Sequence, residues 1–168
     1  MYKKIFTTLL LAISIALAAS PVTARDNYAQ GSMRLSVIGG AGESFDDDYF
    51  ILGAGVGYYV LDGLELGLNY QYWFSGDPDF HQVTPELTYV FSNPSSVDPY
   101  VGVLYRRLFI DGLDDLSGIG TRAGVNITLN DRAYLGVGVV YVDYKSCDEE
   151  TYTDCDETYP EITLSFAF

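Results

Sequence analysis

The chain has 168 residues, with 23 acidic and 9 basic side chains, a formal charge of −14, and an unusual share of Gly (17), Tyr (15) and Phe (9). That length bounds it to about one domain, and the acidic balance excludes a nucleic-acid-binding surface, which phosphates require to be basic. Many aromatic and glycine residues with few lysines point to short strands rather than helices.

Residues 1–24 read as a secretory signal peptide. Lys3 and Lys4 form a basic start, residues 5–19 are apolar apart from small Thr and Ser, and Val22, Thr23 and Ala24 make a small-residue cleavage site. The apolar stretch is too short to span a bilayer comfortably as a helix. Loss of Lys3 and Lys4 leaves 7 basic residues against 23 acids, a formal −16. Residues 25–168 then form a single domain.

From there the hydrophobic period is two almost everywhere. Strands are predicted at about 31–42, 49–61, 64–75, 80–92, 98–110, 118–130, 133–145 and 159–168. In "LELGLNYQYWF", Leu64, Leu66, Leu68, Tyr70, Tyr72 and Phe74 alternate with Glu65, Gly67, Asn69, Gln71 and Trp73. The connections alternate too. Asp62-Gly63, Asn93-Pro94-Ser95-Ser96 and Asn130-Asp131-Arg132 carry tight-turn chemistry. The other four are acidic, "GESFDDD", "SGDPDF", "DGLDDLSG" and "SCDEETYTDCDETY", and hold 15 of the 23 acids. An antiparallel up-and-down meander results, with turns at one end and loops at the other.

Eight such strands could close as a soluble barrel, apolar inside, or as a membrane barrel, apolar outside. The residue types favour the second. The polar phase is rich in glycine (Gly53, Gly55, Gly57, Gly67, Gly102, Gly120, Gly124, Gly136, Gly138), which suits a narrow lumen rather than a solvated surface. Arg34, Glu65, Glu86, Arg106, Arg122 and Glu161 take the same phase, three cations and three anions from six strands. Buried charges survive when paired, so these six are candidates for a lumen ion-pair network. Glu65, near a turn, is the one most exposed to solvation at the rim. The opposite phase carries almost no charge, and its aromatics gather toward strand ends, as at a membrane interface. The fold class is therefore all-β, an eight-stranded antiparallel up-and-down transmembrane β-barrel.

The signal, the meander, "GAGVGYYV", "LELGLNYQYWF", "DPYVGVLY" and the terminal "ITLSFAF" together resemble the small outer-membrane barrels of the OmpX, OmpA-barrel and OmpW type. The resemblance implies a multi-pass protein of a Gram-negative outer membrane, exported by the general secretion pathway, with outer-membrane lipids and lipopolysaccharide as its surroundings and a monomeric state. It also implies that Ile162, Leu164, Phe166 and Phe168 form the terminal signal read by the outer-membrane assembly machinery.

Other motifs carry less. Cys147 and Cys155 lie in an exported chain, where a disulfide is the default, and no nearby His completes a zinc shell, so no metal site is expected there. Asp46, Asp47, Asp48, Asp114, Asp115, Asp148, Glu149 and Glu150 offer hard oxygen ligands for weak Ca²⁺ or Mg²⁺ contacts, but no defined calcium-loop spacing, and no cofactor is expected. "GAGVG" at 53–57 lacks the following helix and the continuation of a dinucleotide fingerprint. His81 is the one histidine. It precedes Gln82 and Val83, without the His-x-Ser pattern of lipid A deacylases that resemble this chain, so no enzymatic activity is expected. The function expected is structural or surface interaction through the acidic loops; the alternative is a narrow channel or transporter for small apolar or cationic solutes.

Overall fold

The computed structural model describes residues 26–44, 47–76, 79–110, 115–145 and 155–168. A short 3-10 turn, Asp26–Tyr28, precedes eight strands: β1 Met33–Ser44, β2 Asp47–Leu61, β3 Leu64–Phe74, β4 Phe80–Val90, β5 Val97–Ile110, β6 Leu116–Asn130, β7 Ala133–Tyr144 and β8 Asp156–Ala167. Each pairs antiparallel with its neighbours in sequence, and β8 closes on β1. The seam runs from Arg34 opposite Ala167 to Gly40 opposite Glu161. Two further backbone bonds, Met33 N–H to the Phe168 carbonyl at 3.0 Å and Phe168 N–H to the Met33 carbonyl at 2.9 Å, finish it. Closure leaves no sheet edge, the condition lipid imposes on a strand-built structure.

The turns follow their residues. Gly63 sits at φ +75, a left-handed position that suits glycine, and its N–H bonds the Tyr28 carbonyl. Asn93 accepts from the Ser95 N–H at 2.7 Å, and Asn130 from the Arg132 N–H at 2.9 Å, each a side chain imitating a turn. At the loop ends the strands run past the predicted bounds. Glu43 pairs with Asp48 and Ser44 with Asp47, so β1 and β2 extend into the stretch read as an acidic loop. β8 likewise begins at Asp156, three residues earlier than the alternation suggested. Both extensions carry acidic side chains with low strand propensity, which hid them; ladder pairing with an established neighbour overrides that preference.

The barrel is inside out relative to a soluble protein. Leu52 is 58% exposed and Phe50 60%, whereas Arg106 is 1% exposed. Strands of 11 to 15 residues are long enough to cross an apolar band of about 25 Å at the usual tilt.

Glycine packing on the inner face yields a test. A Cβ at Gly124 would fall on the Val137 carbonyl oxygen and 2.6 Å from the Gly138 Cα, backbone that cannot yield. A Cβ at outward-facing Gly39 meets nothing within 4 Å. Gly124→Ala is therefore expected to cost about 1–3 kcal/mol as an overpacked site, and Gly39→Ala to be nearly neutral, read as urea midpoints of the refolded barrel in lipid vesicles.

Candidate functional site

The lumen is filled in three layers. At the turn end, Tyr28, Tyr59, Val90, Tyr100 and Tyr134 form a buried cluster. Tyr28 enters from the N-terminal segment, with its ring 5.9 Å from Tyr59 and 5.2 Å from Tyr134 in edge-on contacts. The chain around it is tied down by the Gly31 N–H to the Tyr59 carbonyl at 2.8 Å and Gln30 N–H to Asp62 Oδ1 at 2.8 Å. Burial, with Tyr134 and Asp98 nearby, pushes the Tyr28 hydroxyl well above its ordinary range, so it remains a neutral phenol.

The middle layer is ionic. Arg34 on β1 donates from Nε to Glu65 Oε2 at 2.9 Å and from Nη2 to Glu65 Oε1 at 2.6 Å, a two-pronged contact. The same Nη2 lies 3.2 Å from Glu86 Oε1, and Nη1 donates to Ser36 at 3.1 Å. Glu86 on β4 turns its other oxygen to Arg122 Nη1 at 2.6 Å. Arg122 on β6 reaches Glu161 on β8 with Nη2 at 2.5 Å and lies over the Tyr100 ring at 5.3 Å. Gln71 Nε2 then donates to Glu161 Oε2 at 3.1 Å. Glu65, Arg34, Glu86, Arg122 and Glu161 thus form one connected chain of charges.

Arg106 belongs to a second group nearer the loops. Its Nη1 meets Glu157 Oε2 at 3.1 Å, Nη2 donates to the Tyr159 hydroxyl at 2.5 Å, and Tyr144 donates to Glu157 Oε2 at 2.9 Å. Above and around it lies an apolar cap that includes Tyr49, Ile51, Trp73, Phe80, Leu108 and Leu116. The sequence reading singled out glycines and charges on the inward phase, and this apolar cap shares that phase toward the loops. Glu65, placed near the rim by its sequence neighbours, is 3% exposed because Arg34 crosses from β1 to reach it.

Glycines make room for these carboxylates. A Cβ at Gly57 would lie 2.5 Å from Glu65 Cδ, and one at Gly67 would lie 2.8 Å from Glu86 Cγ; the two glycines face each other across β2 and β3. A lumen cavity, lined among others by Arg34, Glu65, Glu86, Arg122, Asn126 and Ser165, measures about 20 Å³. That holds about one water molecule and no larger solute.

The remaining predicted residues fall elsewhere. Ile162, Leu164 and Phe166 face outward on β8, and Phe168, just past it, is 71% exposed. Asp48 is exposed at the start of β2; Asp115 is exposed and accepts from Arg107 Nη2 at 3.0 Å. Asp47 starts β2 and its side chain is not described. Asp46, Asp114, Cys147, Asp148, Glu149, Glu150 and residues 1–24 lie outside the described residues. Cys155 itself is not a free thiol. Among the described residues no cluster of three or more metal-ligating side chains occurs. His81 points outward, stacked 5.2 Å from Phe109.

Sequence reading missed Glu157, Tyr144, Tyr159 and Tyr28. The first three share the inward phase of their strands with Glu161 or, for Tyr144, with Val142, and carrying the alternation of β8 back past Pro160 would have found Glu157 and Tyr159. No sequence signal marked Tyr28.

The N-terminal β-barrel domain of Pseudomonas aeruginosa OprF superposes with a TM-score of 0.66 at 18% identity, covering 83% of this chain and 98% of that one. The fold is that of a small outer-membrane barrel. OprG from the same organism gives 0.57 at 16% identity over 85% and 98% of the two chains. Ail, the attachment invasion locus protein of Yersinia pestis, gives 0.51 at 11% identity over 83% and 99%. No family model and no curated sequence matches the chain.

Arg122 tests the ionic layer. Arg122→Met leaves Glu86 and Glu161 short of a buried partner, and a cost of about 3–5 kcal/mol is expected. Arg122→Met with Glu161→Gln should recover part of it. Because the pairs are out of reach of mobile ions, the wild-type urea midpoint should shift little between low and high NaCl.

Proposed function

We propose that this chain is an integral protein of the bacterial outer membrane, a sealed barrel with a structural or surface-interaction role carried by its acidic loops. The filled lumen is the observation that supports this most. Among the described residues a tyrosine cluster, an ion-pair layer and an apolar cap occupy it in succession, and a cavity of about 20 Å³ beside the ion pairs holds about one water. The outward apolar belt supplies the lipid-facing surface, and the terminal Ile162, Leu164, Phe166 and Phe168 supply the pattern for recognition by the assembly machinery. Divalent cations shared between the loop carboxylates and lipid phosphates belong to the same reading, as does a monomeric barrel without enzymatic activity.

Planar-bilayer recording decides between this and a channel. The wild-type barrel should be silent, and Arg106→Ala, which removes the side chain that spans β5 and β8, should show a leak. Steady cation-selective openings in the wild type would make the protein a narrow channel for cations or small solutes instead.

A Cys147–Cys155 disulfide is part of the proposal, stiffening the last loop by about 2–3 kcal/mol in the chain-entropy model. Peptide mapping of the non-reduced protein should recover the two cysteines in one linked fragment; two alkylatable thiols would refute the bond.

A further inference from the structure

The outward faces of the strands are almost free of charge, and their exceptions are unevenly placed. Asp48, Asp143 and Asp156 stand within one residue of strand ends. Arg107 does not. It lies three residues before the end of β5, opposite Val83 on β4 and Ser117 on β6. At the rise and tilt of barrel strands that is about 7 Å below the strand end. Among the described residues, it is the one cation at an outward-facing strand position.

Its surroundings suit an anion with an attached ring. The guanidinium lies 5.4 Å from the Phe109 ring centroid, and His81, paired directly with Phe109, stacks on that ring at 5.2 Å. Tyr70 follows at 5.9 Å from His81. Aromatic faces of this kind pack against sugar rings, while a guanidinium takes phosphate with several donors at once. Asp115 occupies one donor, Nη2, at 3.0 Å, but both partners are about half exposed, and such a pair contributes little. An arginine on a lipid-facing wall extends its head toward the headgroup plane. The long loops, rather than the tight turns, lie at this end, which in such barrels is the outer leaflet.

We propose that Arg107, His81 and Phe109 form a site for the phosphorylated sugar headgroup of an outer-leaflet glycolipid. The site rests on the reading of the chain as an outer-membrane barrel. Arg107 holds the phosphate, Phe109 and His81 present a ring face to the sugar, and Val83, Tyr105 and Ile119 meet the acyl chains below. Asp115 competes with the phosphate for the guanidinium.

The test uses the refolded chain in phosphatidylcholine nanodiscs doped with equal small shares of bisphosphorylated lipid A, dephosphorylated lipid A or phosphatidylglycerol. Native mass spectrometry then counts each lipid retained per barrel. The wild type should retain lipid A about five-fold over its dephosphorylated form, the factor expected for one basic residue at an anionic lipid surface. Arg107→Gln should abolish that preference, Arg107→Lys should keep part of it, and Asp115→Asn should increase retention. Equal retention by wild type and Arg107→Gln would overturn the site. So would loss of retention in Asp115→Asn, which would make the pair merely structural, or phosphatidylglycerol held as strongly as lipid A. Should Arg107→Gln fail to fold, the Lys and Asn variants still decide. A wild-type chain that never gives a heat-modifiable folded band would instead defeat the outer-membrane reading itself.

Discussion

Closing eight strands leaves a lumen about one layer of side chains wide, and every other feature of this barrel answers to that width. The wall must supply whatever fills the interior, with space for little water to solvate a stray charge. Glu86 shows how the constraint is met. One carboxylate oxygen faces Arg34 from β1 and the other faces Arg122 from β6, so a β4 side chain ties together strands that do not touch as neighbours. Buried ion pairs often stabilise no better than apolar packing of the same volume. What they supply here is register. A slip of one residue in β4 would turn Glu86 out to lipid and leave Arg34 and Arg122 each short of one carboxylate, a penalty no apolar core imposes so sharply.

The layers on either side serve the middle. Tyrosines at the turn mouth and an apolar cap toward the loops keep bulk water from the ionic belt, which strengthens each pair and raises the cost of breaking one. Tyr28 takes part by folding back from outside the sheet, so the turn-end closure belongs partly to a segment that is not a strand at all. The glycines complete the fit. Gly57 and Gly67 leave space where the Glu65 and Glu86 side chains lie, so the small residues and the large charges on the inner face are two halves of one packing solution.

Much of this was legible in the sequence because a strand has period two and a membrane barrel reverses which phase is polar. The eight strands, the turn end and loop end, and the inward phase of Arg34, Glu65, Glu86, Arg106, Arg122 and Glu161 all follow from those two facts. Pairing did not. Whether Arg34 reaches Glu65, or Arg106 reaches Glu157, depends on the stagger between strands that are distant in sequence. The apolar cap was hidden for a different reason. Near the loop ends both faces carry aromatic and aliphatic side chains, as with Tyr49 inward and Phe50 outward, so alternation no longer separates lumen from lipid. Glu157 was lost among the loop acids because its strand begins inside an acidic run.

The placement of basic residues ties the interior to the composition. Seven follow residue 24, and three of them, Arg34, Arg106 and Arg122, lie in the lumen. All three are arginines, and geometry explains why. Arg34 uses Nε, Nη1 and Nη2 on Glu65, Ser36 and Glu86, a spread of directions that one ammonium on a flexible stem cannot cover. Arg106 does the same with Thr84, Glu157 and Tyr159. A narrow lumen with carboxylates on several strands therefore selects planar, many-donor cations. The lipid-facing phase excludes nearly all charge, and the acids that remain are left at the strand ends and in the loops. The strongly negative formal charge then follows from where a narrow barrel can tolerate charge: three arginines offset the carboxylates inside the lumen, while most of the acids lie in the loops and at the strand ends.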